Sequence, residues 1–144
     1  MGAIFNVFPL LMMPVLIYNI WAFSAGRDSF RFVQQLTHPD QPLTIRMASG
    51  AEWAITSGDM FVLLSMLLLF VELLKSTSTG TAAIFNHALS MLVFIICLVE
   101  FLLHPAFATT PFFLILVMSL LDVLAGVVVT IVSARRDVEF AGQH

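Results

Sequence analysis

Hydrophobic positions along the chain gather into four nearly unbroken runs, 3–23, 53–74, 82–103 and 111–133, instead of alternating with polar ones. A helix rising about 1.5 Å per residue crosses roughly 30 Å of hydrocarbon in about 20 residues, and each run reaches that length. Lipid offers no hydrogen bonds to a bare backbone, so a spanning segment must be a helix or part of a closed barrel. Barrel strands alternate apolar and polar residues, which these runs do not. The expected fold is all-α: a polytopic membrane protein in which residues 1–144 form one domain of four transmembrane helices in an up-down bundle.

The polar breaks set the connectivity. The links at 75–81 and 104–110 are short, which makes the last three spans antiparallel neighbours. A polar loop of roughly 30 residues, 24–52, separates the first two spans, far longer than an ordinary connection. Within it, 28–36 sets Phe30, Phe32, Val33 and Leu36 among Arg and Gln, as in a short helix lying in the membrane interface. Pro39 and Pro42 stop that helix. Leu43 to Met47 and Ala51 to Trp53, flanking Ala48-Ser49-Gly50, are the arms of a small hairpin. The first span is expected to bend at Pro9 and Pro14. With no Lys or Arg ahead of Arg27 it lacks the basic start of a signal peptide, and it is expected to be a retained helix.

Composition sharpens this picture. At 60% hydrophobic and 10% charged, with mean hydropathy +1.00, the 144 residues hold too little polar surface for a soluble domain. The net charge of −3 is thinly spread, with no basic patch for nucleic acid. Lys75, Arg135 and Arg136 on one side balance Arg27, Arg31 and Arg46 on the other. Because Arg135-Arg136 abut the last span, both termini are expected in the cytoplasm. Arg27, Arg31 and Arg46 are also candidates for contact with lipid headgroups. Tyr18, Trp21 and Trp53, near span ends, suit an aromatic belt. Cys97, the single cysteine, suits a small apolar filler. The chain contains no HExxH, GxSxG or phosphate-binding glycine loop and no Cys/His spacing for a metal, so no catalytic residue, metal or cofactor is expected.

What remains is a set of carboxylates at membrane depth, each costing about 2.5–3.5 kcal/mol at a bilayer centre unless it finds a partner. Asp122 lies near the middle of the fourth span, and at about 100° per residue Ser119, Asp122, Gly126, Thr130 and Ser133 share an arc of roughly 80°. Asn86, Ser90, Cys97, Glu100 and His104 share a similar arc on the third. Small polar faces turn towards protein, so these two stripes are expected to meet. In the second span Thr56 and Asp59 share one face and Gly58, Ser65 and Glu72 another. Counting depth from the short link pairs Glu72 with His87 and Asp59 with Glu100. Two readings follow. The stripes fasten helices to one another, to other copies of the chain or to a partner membrane subunit; or Asp122 with Glu100 serves a proton- or cation-coupled transporter or channel.

Ser49-Gly50-Ala51-Glu52-Trp53, Ser90-Met91-Leu92 with Val99-Glu100-Phe101, and Ser119-Leu120-Leu121-Asp122-Val123 with Ala134-Arg135-Arg136-Asp137 resemble small four-helix inner-membrane proteins of proteobacteria without an assigned activity. The resemblance implies a bacterial plasma membrane and no particular reaction.

Overall fold

The computed structural model describes residues 7–26, 28–38, 43–75 and 81–141, with side chains left aside at 81, 133 and 136–141. Arg27, the breaker at 39–42, residues 3–6 of the first run, most of the 75–81 link and the Ser133 side chain therefore lie outside the described residues. In chain order the elements are α1 (Met12–Ser24), α2 (Ser29–Thr37), β1 (Leu43–Arg46), β2 (Glu52–Ile55), α3 (Ser57–Lys75), α4 (Thr81–Leu103), a 3-10 turn (Pro105–Phe107) and α5 (Thr110–Ala141).

Three helices are long and apolar enough to cross a membrane, at Ser57–Lys75, Ala82–Leu103 and Thr110–Val132. The first apolar run behaves differently. The helix α1 within it spans 13 residues from Met12, about 20 Å, which falls short of the hydrocarbon thickness. The expected bend at Pro9 is an interruption: after helical Val7 the chain leaves helical geometry from Phe8 to Leu11, and α1 starts with Met12 and Met13 bonding back to Pro9 and Leu10. Pro14, in the first helical turn, is tolerated because its missing N–H has few helical partners to lose there.

α5 packs on both α3 and α4, α1 lies against α3 and α4, and α2 closes over α3 and the 3-10 turn. Each long helix turns one stripe inward. On α3 it is Gly58, Phe61, Ser65, Leu69 and Glu72; on α4, Asn86, Ser90, Val93 and Cys97; on α5, Phe112, Ile115, Ser119 and Asp122. Of the small polar stripes, Asn86, Ser90 and Cys97 on α4 and Ser119 and Asp122 on α5 are buried, whereas Glu100, His104 and Gly126 are half-buried and Thr130 is exposed.

Asp28 caps α2 by accepting from the Arg31 N–H, and Phe32 and Leu36 enter the protein core. The interfacial helix expected at 28–36 is present, but it buries its apolar side against the bundle. Tyr18, placed by sequence in the aromatic belt, is fully buried. Its ring packs among Phe32, Phe61, Phe107 and Phe112. Its hydroxyl donates to the Ala106 carbonyl at 3.0 Å, so Thr109 Oγ1, 2.7 Å away, donates to Tyr18 while accepting the Phe112 N–H. This knot binds α1, α2, α3 and the turn before α5 at one end of the bundle. Trp21 and Trp53 stay exposed, as a belt requires.

The hairpin forms, with Leu43 opposite Ile55 and Arg46 opposite Glu52. Gly50, at φ 86°, makes the turn that L side chains rarely adopt. Leu43, Ile45, Trp53 and Ile55 share one face and Thr44, Arg46, Glu52 and Ala54 the other.

Gly58 marks the tightest crossing beside the Tyr18 knot. A Cβ built there would stand 2.7 Å from Pro111 Cγ and 2.9 Å from the Leu36 carbonyl oxygen, neither of which can swing aside. Gly58→Ala is expected to cost about 1–3 kcal/mol by overpacking, read as a lower thermal midpoint of the purified protein in detergent.

Candidate functional site

The densest buried polar grouping sits at the other end, where α3 approaches its C-terminus. Glu72 is fully buried and holds three groups, one each from α3, α4 and the segment ahead of α1. Lys75, one turn on in α3, lies 2.9 Å from Glu72 Oε2, and its side chain is only 7% exposed. Asn86 of α4 donates from Nδ2 to Oε1 at 2.6 Å. The Leu10 N–H donates to Oε2 at 2.9 Å. Lys75 Nζ in turn donates to the Phe8 carbonyl at 2.7 Å.

The local sequence explains this geometry. Interruption at Pro9 leaves the Phe8 carbonyl and the Leu10 N–H without helical partners, an expensive state in apolar surroundings. Glu72 and Lys75, three residues apart and therefore on one helical face, present one acceptor and one donor to that break. The carboxylate then sits at the N-terminal end of α1 and the ammonium at the C-terminal end of α3, where each helix dipole favours the sign it meets.

Beyond Glu72 the grouping continues to Asp122. Asn86 and Ser90, four residues apart on α4, are 7% and 3% exposed, and Asp122 is 4% exposed. Ser90 is the hydroxyl beside the Asp122 carboxylate, and Glu72, Lys75 and His87 are the charged and titratable groups near enough to act on it. Among the described residues, Asn86 Oδ1 and His87 Nδ1 are buried without a hydrogen-bond partner, and the Ser90 hydroxyl has the Asp122 carboxylate as its polar neighbour. His87 lies against Gly126 so closely that a Cβ there would overlap its Nδ1.

The other residues singled out by sequence fall elsewhere. Asp59 is the third residue of α3 and caps it: Oδ2 accepts from the Thr56 N–H at 2.9 Å and the Thr56 hydroxyl at 2.8 Å, while Thr56 Oγ1 accepts the Asp59 N–H. Glu100 accepts from Asn19 of α1 at 3.1 Å. Ser119 and Thr130 donate to carbonyls of their own helix, at Leu116 and Gly126. Arg31 pairs with Asp28 on the surface at 3.2 Å, and exposed Arg46 faces Glu52 across the hairpin.

Each pairing deduced from depth alone is replaced. Glu72 bonds Asn86, the residue before His87; Asp59 and Glu100 each have another partner; and Asp122 meets Ser90, which lies ten residues, about 15 Å, from Glu100 along α4. Depth fixes how far along a helix a residue lies but leaves its rotation about the axis open. Lys75, Asn86 and the backbone at Phe8 and Leu10 were not recognised from sequence as partners of Glu72. The Glu72/Lys75 spacing was the available signal, a pair on one face at a helix C-terminus.

Among the described residues no group of three His, Cys, Asp or Glu side chains is set to hold a metal ion. At the opposite end a groove of about 650 Å³ runs between α2, α3 and the start of α5, with Thr37, His38, Thr56 and Asp59 at its polar part and Met66 and Leu114 at its apolar part. No protein-family model matches the chain, and no curated protein or solved structure matches it. Fold and site together define a helical, membrane-embedded protein with a buried ion pair.

Removing one partner of such a pair strands the other charge. Lys75→Met is expected to lose about 3–5 kcal/mol, while the double variant Glu72→Gln/Lys75→Met, which keeps an acceptor for Leu10 or Asn86 and removes both charges, recovers most of it. Thermal unfolding in detergent measures both.

Proposed function

We propose that this chain is a small non-enzymatic integral membrane protein of the bacterial inner membrane, with four spans in one up-down bundle and both termini cytoplasmic, that associates with copies of itself or with a partner membrane subunit. The observation that carries this reading is the use made of its carboxylates. Asp59 caps a helix, Glu72 fastens three segments, and Glu100 takes Asn19. Three of the four acids identified by sequence at membrane depth are thus engaged inside the fold, as structural fastening requires and a transport path lined by free carboxylates does not.

The argument for association is one of surface. Only 28%, 22% and 33% of the three spanning windows is buried within the chain, so most of each helix is left for lipid or another protein. Four short helices bury little against each other, and closed oligomers are the usual way small chains gain interface. The fourth span of this reading is the first apolar run, which carries α1.

Extraction of the tagged chain from its own membrane in a mild detergent is expected to yield a complex larger than the 15.9 kDa chain by native mass spectrometry; a monomer at every concentration overturns association. The coupled-transport reading rests on Asp122 acting with Glu100, which have separate partners. Glu100→Gln keeps an acceptor for Asn19, so it is expected to change stability by less than about 0.5 kcal/mol and to leave the complex intact, whereas an essential transport carboxylate would not tolerate it. Melting and native mass spectrometry of the variant decide between them.

A further inference from the structure

The groove between α2, α3 and the start of α5 runs from polar to apolar along one helix. Its α3 wall is Asp59, Val62, Leu63 and Met66, whose spacing of three, four and seven residues puts them on one face, beside the stripe that α3 turns into the bundle. Asp59 is the third residue of α3 and Met66 its middle one, about 10 Å deeper along the axis. In a helix that crosses a membrane, this carries the groove from the interface towards the centre of the hydrocarbon. Leu63, Met66 and Leu114 stay exposed along it. Its volume, about 650 Å³, falls within the range of roughly 300–1,000 Å³ in which proteins enclose small ligands.

At the polar end hydrogen-bond acceptors outnumber donors. The Thr37 hydroxyl gives its hydrogen to the Val33 carbonyl and the Thr56 hydroxyl gives its own to Asp59 Oδ2, so both can only accept further bonds. One lone pair of Thr56 already takes the Asp59 N–H, which leaves the other. Asp59 adds a carboxylate, and no Lys or Arg stands among the described lining residues. The side-chain donors at this end are the His38 imidazole and the Thr110 hydroxyl.

We propose that this groove binds one phospholipid with a primary-amine headgroup, its ammonium at Asp59 and the threonine oxygens and one acyl chain along Met66 and Leu114. A primary ammonium brings three N–H donors and a positive charge, which are what an acceptor-rich end with one carboxylate calls for, and such charge-assisted bonds are the stronger kind. The phosphate beside it meets the donors of His38 and Thr110. A quaternary headgroup keeps the charge but has no N–H to give. A glycerol headgroup has hydroxyls but no cation to set between Asp59 and its own phosphate. A water-soluble amine would leave the apolar half of the groove unfilled, whereas a lipid enters it sideways from the bilayer. The bound lipid touches α2, α3 and the start of α5 together and so braces the end of the bundle that Gly58 and Tyr18 hold. The inference needs the chain to lie in a membrane and does not depend on how it associates with others.

The test adds lipid to the full-length protein purified in detergent, with bound molecules counted by native mass spectrometry and the thermal midpoint followed alongside. Dioleoyl phosphatidylethanolamine is expected to saturate at one tightly held molecule per chain and to raise the midpoint, as a ligand of the folded state does. The phosphatidylcholine and phosphatidylglycerol with the same chains are expected to bind roughly tenfold more weakly. Asp59→Asn keeps an acceptor for Thr56 and a residue that caps helices well, so it is expected to fold and to hold the amine and choline lipids within about twofold of each other. Leu114→Trp, which fills the apolar half, is expected to weaken the amine lipid about tenfold, whereas Leu102→Trp, exposed on α4 away from the groove, leaves it unchanged. Equal binding of the three headgroups by the wild type overturns the proposal, as does binding that never levels off at one molecule. So does an undiminished preference for the amine lipid in Asp59→Asn. Should that variant fail to fold, the two tryptophan variants decide: equal retention of the amine lipid by both overturns the groove as its site.

Discussion

A glutamate with no water contact organises one end of this molecule. Glu72 binds Lys75 in its own helix, Asn86 in the next, and the Leu10 N–H ahead of α1, while Lys75 reaches the Phe8 carbonyl. A charged pair is a poor source of stability in water, where the medium competes for both partners. Among apolar helices the balance differs, since neither partner can leave without stranding the other. The grouping therefore fixes position more than it adds affinity: α1 can start only where its broken backbone meets both charges. At the other end the buried Tyr18 hydroxyl does similar work through Ala106 and Thr109, with an aromatic shell in place of charge. α1 is thereby held at both ends, by polar contacts it could not replace with lipid.

Between these two knots the helices are joined by small residues. Gly58 admits Pro111 and Leu36, and Gly126 admits His87. In a bilayer the hydrophobic effect does not press helices together, because lipid tails are as apolar as leucine, so close approach and hydrogen bonds have to hold them. The serine and threonine hydroxyls contribute less than their number suggests. Ser65, Ser119 and Thr130 return their hydrogen to a carbonyl of their own helix. Of the polar side chains on the α4 and α5 stripes, Asn86 and Glu100 span helices directly, to Glu72 and Asn19, and Ser90 of α4 lies beside Asp122 of α5.

The sequence by itself determined the helical class, three of the four expected apolar spans, the short helix and hairpin before α3, and the inward-facing Asn86, Ser90 and Cys97 of α4 and Ser119 and Asp122 of α5. These follow from the length of apolar runs, from turn residues and from the rotation of about 100° per residue, all of which are local. It also singled out Asp59, Glu72, Glu100 and Asp122 as the acids at membrane depth. What only the tertiary structure decided is who meets whom. Tyr18 went to the core, because α2 folds back over it; the first run broke at Pro9, because Glu72 and Lys75 could take up the exposed backbone; and Glu72 chose Asn86 over its neighbour His87. Partner choice depends on how each helix is rotated about its axis and on which backbone groups a break sets free, and both are fixed only when all the helices are packed together.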